Sequence, residues 1–265
     1  PLTEQGIDIN EGDYLISLNN NNVTTKDNPY KFLENTAEKR VEIAVNSKPI
    51  QKGARTFLIK PIKSELELFY LDWVNLRKKM VEKLSNGRIG YIHVPNTAVD
   101  GNRELFKGIY SLSNKDALII DERYNGGGWS PGKMIEKLSS KIISYWHRRG
   151  LGLRPEPFFA IEGPKVMLIN HFSSSGGDNF PYWFRKAKVG ILIGTRTWGG
   201  LVGYGWSPGL VDGPSFAVPM SGIVGTDGEW IVEGVGIYPD KGYEVYDRPE
   251  EVAKGKDPCL SLIHI

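Results

Sequence analysis

Hydrophobic and polar positions alternate in short segments over residues 1–62, a pattern typical of a small β-rich unit. The segment GDYLISLNN places apolar residues after a Gly-Asp turn, and Asn19 to Asn22 predict a second turn. KDNPYKFLENTA then predicts a short helix after its proline, with Phe32 and Leu33 facing inward. RVEIAVNS and RTFLIKPI alternate between apolar and polar residues, as half-buried strands do. The pattern therefore predicts strand, short helix, strand and strand.

The spacing of apolar residues changes to three and four in the segment SELELFYLDWVNLRKKMVEKLS, which predicts a helix. This helix connects two domains over residues 63–86 and ends before Asn86-Gly87. We expect it to pack on the next domain and its aromatic residues to lie in a core.

From Gly87 onwards, short apolar runs alternate with helix-like segments. The apolar runs are RIGYIHV, DALIIDER, PKVMLIN and VGILIGT. Strands that alternate with helices predict βαβ units around a mostly parallel sheet, so residues 87–250 are expected to form an α/β core. Residues 210–238 are richer in Gly and Pro and predict β hairpins.

Composition narrows the classes of function. The chain has 265 residues, of which 40% are hydrophobic, and a formal net charge of +2. A net charge so close to zero argues against nucleic acid or an anionic membrane as a partner. No apolar run approaches the length that spans a membrane, and the single Cys259 excludes an intrachain disulfide.

The two ends of the chain look unlike natural termini. Pro1 stands in a segment that reads as the middle of a domain, so we expect the first domain to be N-terminally incomplete. Residues 251–265 form a tail, in which Leu260 to Ile265 resembles the translation of a sequencing-library transposon end. We therefore set residues 259–265 aside as a suspected artefact. A frayed natural terminus is the alternative.

Three glycine-rich polar segments follow predicted strands, where open α/β sheets place their ligands. They are DERYNGGGW at residues 121–129, NHFSSSGGD at 170–178 and VEGVGIYPD at 232–240. Each segment alone is weak evidence, because a glycine triplet can be a plain loop and a serine run can be a turn. The acid of the third segment could equally be solvated at a strand end.

Together and in this order, the three segments resemble the S41 family of serine peptidases, and specifically its tricorn protease branch. The first segment matches the family pattern D-x-R-x-N-G-G-G with Asp121, Arg123, Asn125 and Gly126 to Gly128. The second matches N-x-x-x-x-S with Asn170 and Ser175. The third matches V-E-x-V-G-x-x-P-D with Glu233 and Pro239-Asp240. Residues 1–62 resemble the later part of a PDZ domain. The resemblance implies a ClpP/crotonase-like βα superhelix as an α/β peptidase core, preceded by a partial β-rich PDZ-like domain.

The resemblance also implies roles for individual residues. Ser175 corresponds to the nucleophile and Glu233 to the acid that supports a histidine base. The N–H groups of Gly176 and Gly128 correspond to the oxyanion hole, and Gly126 and Gly127 to backbone that contacts substrate. Physical reasoning agrees, because a serine before two glycines sits on a sharp turn that lets amide groups approach a scissile carbonyl.

The chain lacks a clear candidate for the base that accepts the proton of Ser175. The lysine-dependent branch of the family has its lysine where Gly200 stands here, and no lysine lies between Lys188 and Lys241. The tricorn branch uses a histidine that precedes the PDZ domain. We therefore expect the base to lie upstream of this fragment, and the isolated fragment to be weakly active or inactive.

The four histidines of this chain are weaker candidates. His171 lies on the serine turn but at a variable position of the motif, so we expect a surface or loop-packing role. His93 is expected to pack or to bond to backbone from its strand. His147 belongs to the basic segment YWHRRGLGLRP, either beside the substrate groove, where its arginines would favour acidic peptides, or in a solvated loop. His264 lies in the tail.

The resemblance implies an enzyme that hydrolyses short peptides, without a metal or an organic cofactor. It also implies a homo-oligomer in the full-length protein and a cytoplasmic location. A non-catalytic peptide- or ligand-binding module with an S41-like core remains open, as does a crotonase-like acyl-transfer enzyme. Neither alternative would need Ser175.

Overall fold

The computed structural model describes residues 1–262, which form two compact units. The first unit comprises Pro1–Trp73, and the second begins at Val74. None of the helices in the described chain combines the length and the apolar character that a membrane crossing requires.

The first unit is built on a four-stranded antiparallel sheet in the order β2-β1-β3-β4. Phe32 and Leu33 pack against its core, as the sequence predicts. Asn19 and Asn20 make the turn at positive φ, which Asn tolerates better than most residues. The sequence also assigned Asn21 and Asn22 to this turn, but they pair with β1 as a short strand. The elements are β1 (Tyr14–Leu18), β2 (Asn21–Asn22), a 3₁₀ helix (Pro29–Leu33), β3 (Val41–Asn46) and β4 (Arg55–Ile59).

Helix α1 (Leu66–Leu84) begins in the first unit and continues into the second. Only Val74 and Val81 of its described residues are buried. Phe69 is 65% exposed, so the expectation that the aromatic residues of this helix lie in a core is wrong at this position.

The second unit contains the parallel sheet that the alternating pattern predicts, in the order β10-β9-β6-β5. Its strands are β5 (Ile89–His93), β6 (Ala117–Asp121), β9 (Lys165–Ile169) and β10 (Ile191–Gly194). The α/β fold class is confirmed. Three helices cover the sheet: α2 (Val99–Ser111), α3 (Pro131–Leu138) and α4 (Gly176–Lys186).

The core of the second unit joins the sheet to these helices. Ile120, Met167 and Ile169 from the strands meet Leu105 from α2 and Phe180 from α4, and all five side chains are fully buried. Burial of each such side chain contributes roughly 1.5–3 kcal/mol to folding. This core fixes the carboxyl ends of β6 and β9 side by side.

Two antiparallel hairpins lie outside the parallel sheet. The basic segment forms one of them, β7 (Ser144–Arg148) with β8 (Gly152–Glu156), where the sequence analysis considered a loop. The other pairs β11 (Gly203–Trp206) with β12 (Ala217–Ser221). The hairpin prediction for residues 210–238 is thus only partly right, because β12 pairs with a strand that precedes this range.

The described end of the chain is packed. Short helices α5 (Pro249–Val252) and α6 (Pro258–Ser261) follow the core, and Asp257, Cys259 and Leu260 are buried. Cys259 and Leu260 therefore take part in the packing of the described chain, and the suspected artefactual origin of residues 259–265 stays a prediction. His264 lies outside the described residues.

Candidate active site

Ser175 stands on the turn that joins β9 to α4. Its backbone adopts φ 55° and ψ −116° directly before the helix begins at Gly176. A non-glycine residue rarely adopts a positive φ, and such strain clusters at functional sites. A serine on a sharp strand-to-helix turn is also the geometry that exposes a nucleophile at the top of an α/β sheet. The side chain of Ser175 is exposed here.

Neighbouring segments hold the serine turn in place. The Ser175 N–H donates to the Gly200 carbonyl at 2.9 Å, and the Ser174 N–H donates to the Asn125 carbonyl at 2.9 Å. The buried Ser173 hydroxyl donates to the Glu122 carbonyl at 3.0 Å. These bonds compensate for the strain, because each stabilises the turn by about 1 kcal/mol.

The glycine loop after β6 lies directly against the serine turn. Asn125 shapes this loop, since its Oδ1 accepts from the Gly127 N–H at 2.9 Å and its Nδ2 donates to the Val94 carbonyl at 3.0 Å. A Cβ on Gly127 would lie 2.8 Å from the Cβ of Ser175, and one on Gly176 would lie 2.8 Å from the Gly128 nitrogen. The two segments can touch only because these positions carry no side chain.

Two amide groups of this contact are left unused. Within residues 1–262, the N–H groups of Gly128 and Gly176 donate to no acceptor, whereas the Gly126 N–H donates to the Pro95 carbonyl. The Gly127 N–H is already taken by Asn125. Gly128 and Gly176 both border a cleft beside Ser175, so their amides are available to an oxygen bound there.

This cleft has a volume of about 460 Å³. Three stretches of the second unit supply most of its wall: the end of the glycine loop, the first turns of α4, and the segment leading into β11. The lining residues are Gly128, Trp129, Pro131, Ser175, Gly176, Asn179, Trp183, Leu201, Val202, Gly203, Tyr204, Ser221, Gly222 and Ile223.

Glu233 lies in a turn rather than at the end of a strand, which corrects the placement expected from VEGVGIYPD. Its exposed carboxylate accepts from the N–H groups of Leu201 at 2.5 Å and of Val202 at 2.9 Å through the same oxygen, Oε2. Glu233 thus holds one side of the segment that forms the cleft wall.

Asp178 holds the other side of that segment, a role that the sequence analysis missed. Its carboxylate accepts from the N–H groups of Gly199 at 2.7 Å and of Gly200 at 3.3 Å. Burial raises the pKa of Asp178 above its ordinary value. The signal was a single acid three residues after Ser175 within SSSGGD, which is too weak to assign a role.

Glu122 is a second buried acid that the sequence did not single out. Its side chain is fully buried, and neither carboxyl oxygen has a hydrogen-bond partner in the described structure. Burial, reinforced by the nearby carboxylate of Asp178, raises the pKa of Glu122 well above its ordinary value. Glu122 therefore keeps its proton to a higher pH than an exposed glutamate does.

The structure places His93 and His171 as the sequence predicts, whereas His147 lies on a strand rather than in a loop. His93 is buried on β5 with its Nε2 3.0 Å from the Arg123 carbonyl, and burial lowers its pKa. His171 is exposed, with its ring 3.9 Å from that of Phe172. His147 lies on the exposed strand β7. In the described chain neither His147 nor His171 hydrogen-bonds to Ser175.

Arg123 of the glycine-loop motif serves the fold. It is buried and donates to Asp121 and Asp257, with N–O distances down to 2.7 and 2.9 Å. Asp257, Asp247 and Cys259 have potential metal-ligand atoms within 4.8 Å of one another. Because Arg77 and Arg123 already pair with Asp257, and burial raises the pKa of Cys259 to about 12, this cluster fits an ion-pair network better than a metal site.

Comparison with known proteins agrees with this architecture. The sequence profile of peptidase family S41 matches residues 88–242, and that of the tricorn protease PDZ domain matches residues 1–64. The tricorn protease of Thermoplasma acidophilum is 34% identical over 261 residues, which cover 98% of this chain and 24% of that protein. Tricorn protease homolog 1 of Streptomyces coelicolor is 33% identical, with the same coverage.

A crystal structure of the tricorn protease superimposes with a TM-score of 0.86 at 32% identity and covers 95% of this chain. The chain spans 24% of the length of that structure, so it corresponds to about a quarter of the proteins it matches. The matching profile, the relatives and the superposition all place the chain in peptidase family S41, in its tricorn branch.

Proposed function

We propose that this chain carries the nucleophile of a serine peptidase that hydrolyses short peptides, and that Ser175 is that nucleophile. The observation that carries the proposal is the strained backbone of Ser175 at the β9–α4 turn, with its side chain exposed to the cleft. A fold that only buried or solvated this serine would not need the strain.

The oxyanion of the reaction would be bound by backbone. Ser175 Oγ attacks the scissile carbonyl carbon, and the N–H groups of Gly128 and Gly176 donate to the oxygen that becomes negative. Their lack of other acceptors in the described chain supports this role. The backbone of Gly126 and Gly127 continues the path along which substrate lies. Donors that are already oriented lower the barrier without reorganisation.

The base would be a histidine from outside these 265 residues. A serine hydroxyl needs a base to attack, and His93, His147 and His171 have the other placements described above. Glu233 would orient that histidine, since its Oε1 accepts no hydrogen bond within residues 1–262 while Oε2 holds the cleft wall. The isolated chain would then have little activity.

The proposal extends to the whole protein. Its substrates would be peptides, and it would act as a homo-oligomer in the cytoplasm, without a metal or an organic cofactor. The chain spans about a quarter of the length of these relatives, so these properties are proposed for a protein of the relatives' length.

Fluorophosphonate labelling tests the proposal. The probe would be applied to this chain, to its Ser175→Ala variant, and to a chain extended upstream through a complete PDZ domain and the segment before it. We expect strong labelling of the extended chain at Ser175 and little on the other two. If the unextended chain were labelled as strongly as the extended one, the base would lie within it, and His171 would be the first candidate. No labelling of any protein would favour a binding module.

A further inference from the structure

The cleft beside Ser175 has a wall built from one face of α4. Ser175, Asn179 and Trp183 follow one another at intervals of four residues, and all three line the cleft. Residues at this spacing lie on one face of a helix, and their side chains lean towards its N-terminus. Asn179 therefore projects into the cleft one helical turn from Ser175.

The opposite walls are apolar and aromatic. Trp129, Leu201, Val202 and Ile223 line the cleft, and Tyr204 adds a further ring. The indole of Trp183 rests on the backbone of α3, where a Cβ on Gly132 would lie 2.9 Å from its Cζ3. A ring held against a helix backbone forms a rigid surface for a flat side chain.

None of the lining side chains within the described chain carries a charge. A charged side chain that entered the cleft would lose hydration without gaining an ionic partner, whereas a large apolar one would gain from burial. The cleft therefore favours a bulky uncharged side chain.

Asn179 adds a polar group to this apolar cleft. Its side chain is 4% exposed, and its Oδ1 has no hydrogen-bond partner among residues 1–262. Buried amide oxygens are nearly always paired, so an unpaired one in the wall of a binding cleft points to a donor supplied by a ligand. A phenolic hydroxyl is a donor that an aromatic side chain brings with it.

We infer that this cleft receives an aromatic side chain from the acyl side of the scissile bond and that Asn179 selects tyrosine through its hydroxyl. The inference rests on the proposed function, since it takes Gly128 and Gly176 as the groups that bind the scissile carbonyl oxygen. The residue that supplies that carbonyl carries the side chain nearest to the cleft, because the same two glycines border it.

Peptide binding tests the inference without requiring catalysis. The peptides acetyl-Ala-Ala-X-Ala-Ala-amide, with Tyr, Phe, Leu, Arg or Asp at X, would be titrated calorimetrically into the Ser175→Ala protein. We expect Tyr to bind about threefold to tenfold more tightly than Phe, the range that one neutral hydrogen bond supplies. Arg and Asp should bind at least tenfold more weakly than Phe.

A matched variant isolates the amide. Asn179→Leu replaces the unpaired amide by an apolar group of similar size, and it should fold because it removes an unsatisfied buried atom. In this background the advantage of Tyr over Phe should disappear while Phe binding is kept. Gly132→Ala would displace the Trp183 ring, and it should weaken Tyr and Phe together.

The outcomes separate the two proposals. Equal binding of all five peptides, no binding at millimolar concentration, or an unchanged Tyr preference in Asn179→Leu would overturn the inference. If Ser175 is nevertheless labelled by fluorophosphonate in the extended chain, the proposed function stands alone. A preference for Tyr without labelling of the extended chain would support the side-chain preference of the cleft and contradict the role of Ser175 as nucleophile.

Discussion

At the scale of single residues, the site depends on positions where a side chain is absent. Gly127 and Gly176 let the glycine loop and the serine turn touch, and Ser175 accepts a backbone conformation that its neighbours enforce. The cost of a strained residue, of order 1–3 kcal/mol, is compensated by the hydrogen bonds around it.

Gly176→Ala tests this contact. The added Cβ would overlap Thr97 Oγ1 and the Gly128 backbone, so the two amides at the cleft should move apart. We expect kcat/KM of the active, extended protein to fall by about a hundredfold or more, the usual effect of losing one oxyanion donor. Gly209→Ala is the control, since its Cβ would meet its nearest atom at an ordinary 3.7 Å. Equal activity of the two variants would contradict the oxyanion role.

Glu122→Gln tests the raised pKa of the buried Glu122 carboxyl. Folding raises the pKa of Glu122. The stability that the neutral Glu122 side chain contributes is therefore fully present below the pKa of the unfolded chain, near 4.5, and is lost as the pH rises through the pKa of the folded protein. Above pH 4.5 the unfolding free energy of the variant should therefore increase relative to that of the native protein, by up to about 1.4 kcal/mol per pH unit. Urea denaturation from pH 4.5 to 8 measures this difference in unfolding free energy.

The difference in unfolding free energy between the native protein and the variant is the informative quantity, because acids that do not interact with Glu122 titrate alike in both proteins. A difference that stays constant with pH would show that Glu122 is ionised in the folded protein.

At the scale of elements, the segment at residues 198–202 connects the cleft to the serine turn. Asp178 on α4 holds the N–H groups of Gly199 and Gly200, Glu233 holds those of Leu201 and Val202, and the Gly200 carbonyl accepts from Ser175. Gly200, which the sequence analysis expected at the lysine position of the other branch, thus accepts from the Ser175 N–H through its carbonyl. Two acids from separate elements fix the geometry of one wall.

Asp178→Ala tests this arrangement. Its loss leaves the buried Gly199 amide and the partly buried Gly200 amide without acceptors, so we expect a decrease of about 1–3 kcal/mol in unfolding free energy. The activity of the extended protein should fall further than this stability loss explains, by about tenfold or more at a temperature where the variant is folded, because the support of Ser175 is lost. Asp212→Ala, at an exposed position, is the control. Native activity in folded Asp178→Ala would rule out this supporting role.

At the scale of the molecule, distant parts of the chain meet at the carboxyl ends of parallel strands. β6 and β9 pair in parallel, so the segments that follow them, about fifty residues apart, emerge at one edge of the sheet. Arg123 extends this association, since it bonds to Asp257 across 134 residues of sequence. The buried network ties the described C-terminal segment to the loop that carries the glycines.

Asp257→Ala tests this network. Arg123 would keep Asp121 but lose its second buried partner, and Arg77 would lose Asp257 as well. We expect unfolding free energy to drop by about 3 kcal/mol, as buried ion pairs do when one partner is removed. Asp116→Ala breaks the exposed pair with Arg88 and should change little. Similar unfolding midpoints for the two variants in urea would contradict this account.

The sequence alone determined the strands of the parallel sheet, the main helices and the order of the motifs. Alternating and three-to-four spacing located the strands and the main helices because these periods reflect which side of an element is buried. The glycines and Ser175 were singled out as candidates because an entire pattern, not any one residue, carried the resemblance. Residues without such a pattern, Asp178, Asn179 and Glu122, were missed as functional candidates.

Only the tertiary structure decided how those elements meet. The dihedral angles of Ser175, the contact between Gly127 and Ser175, and the two acids that hold the cleft wall depend on strand register and on helices packed from distant segments. The same holds for the burial of Cys259 and Leu260, which the sequence analysis set aside as part of a suspected artefact. Local spacing predicts which face of an element is buried. The element that packs against this face depends on long-range contacts, which the spacing in a single sequence does not predict.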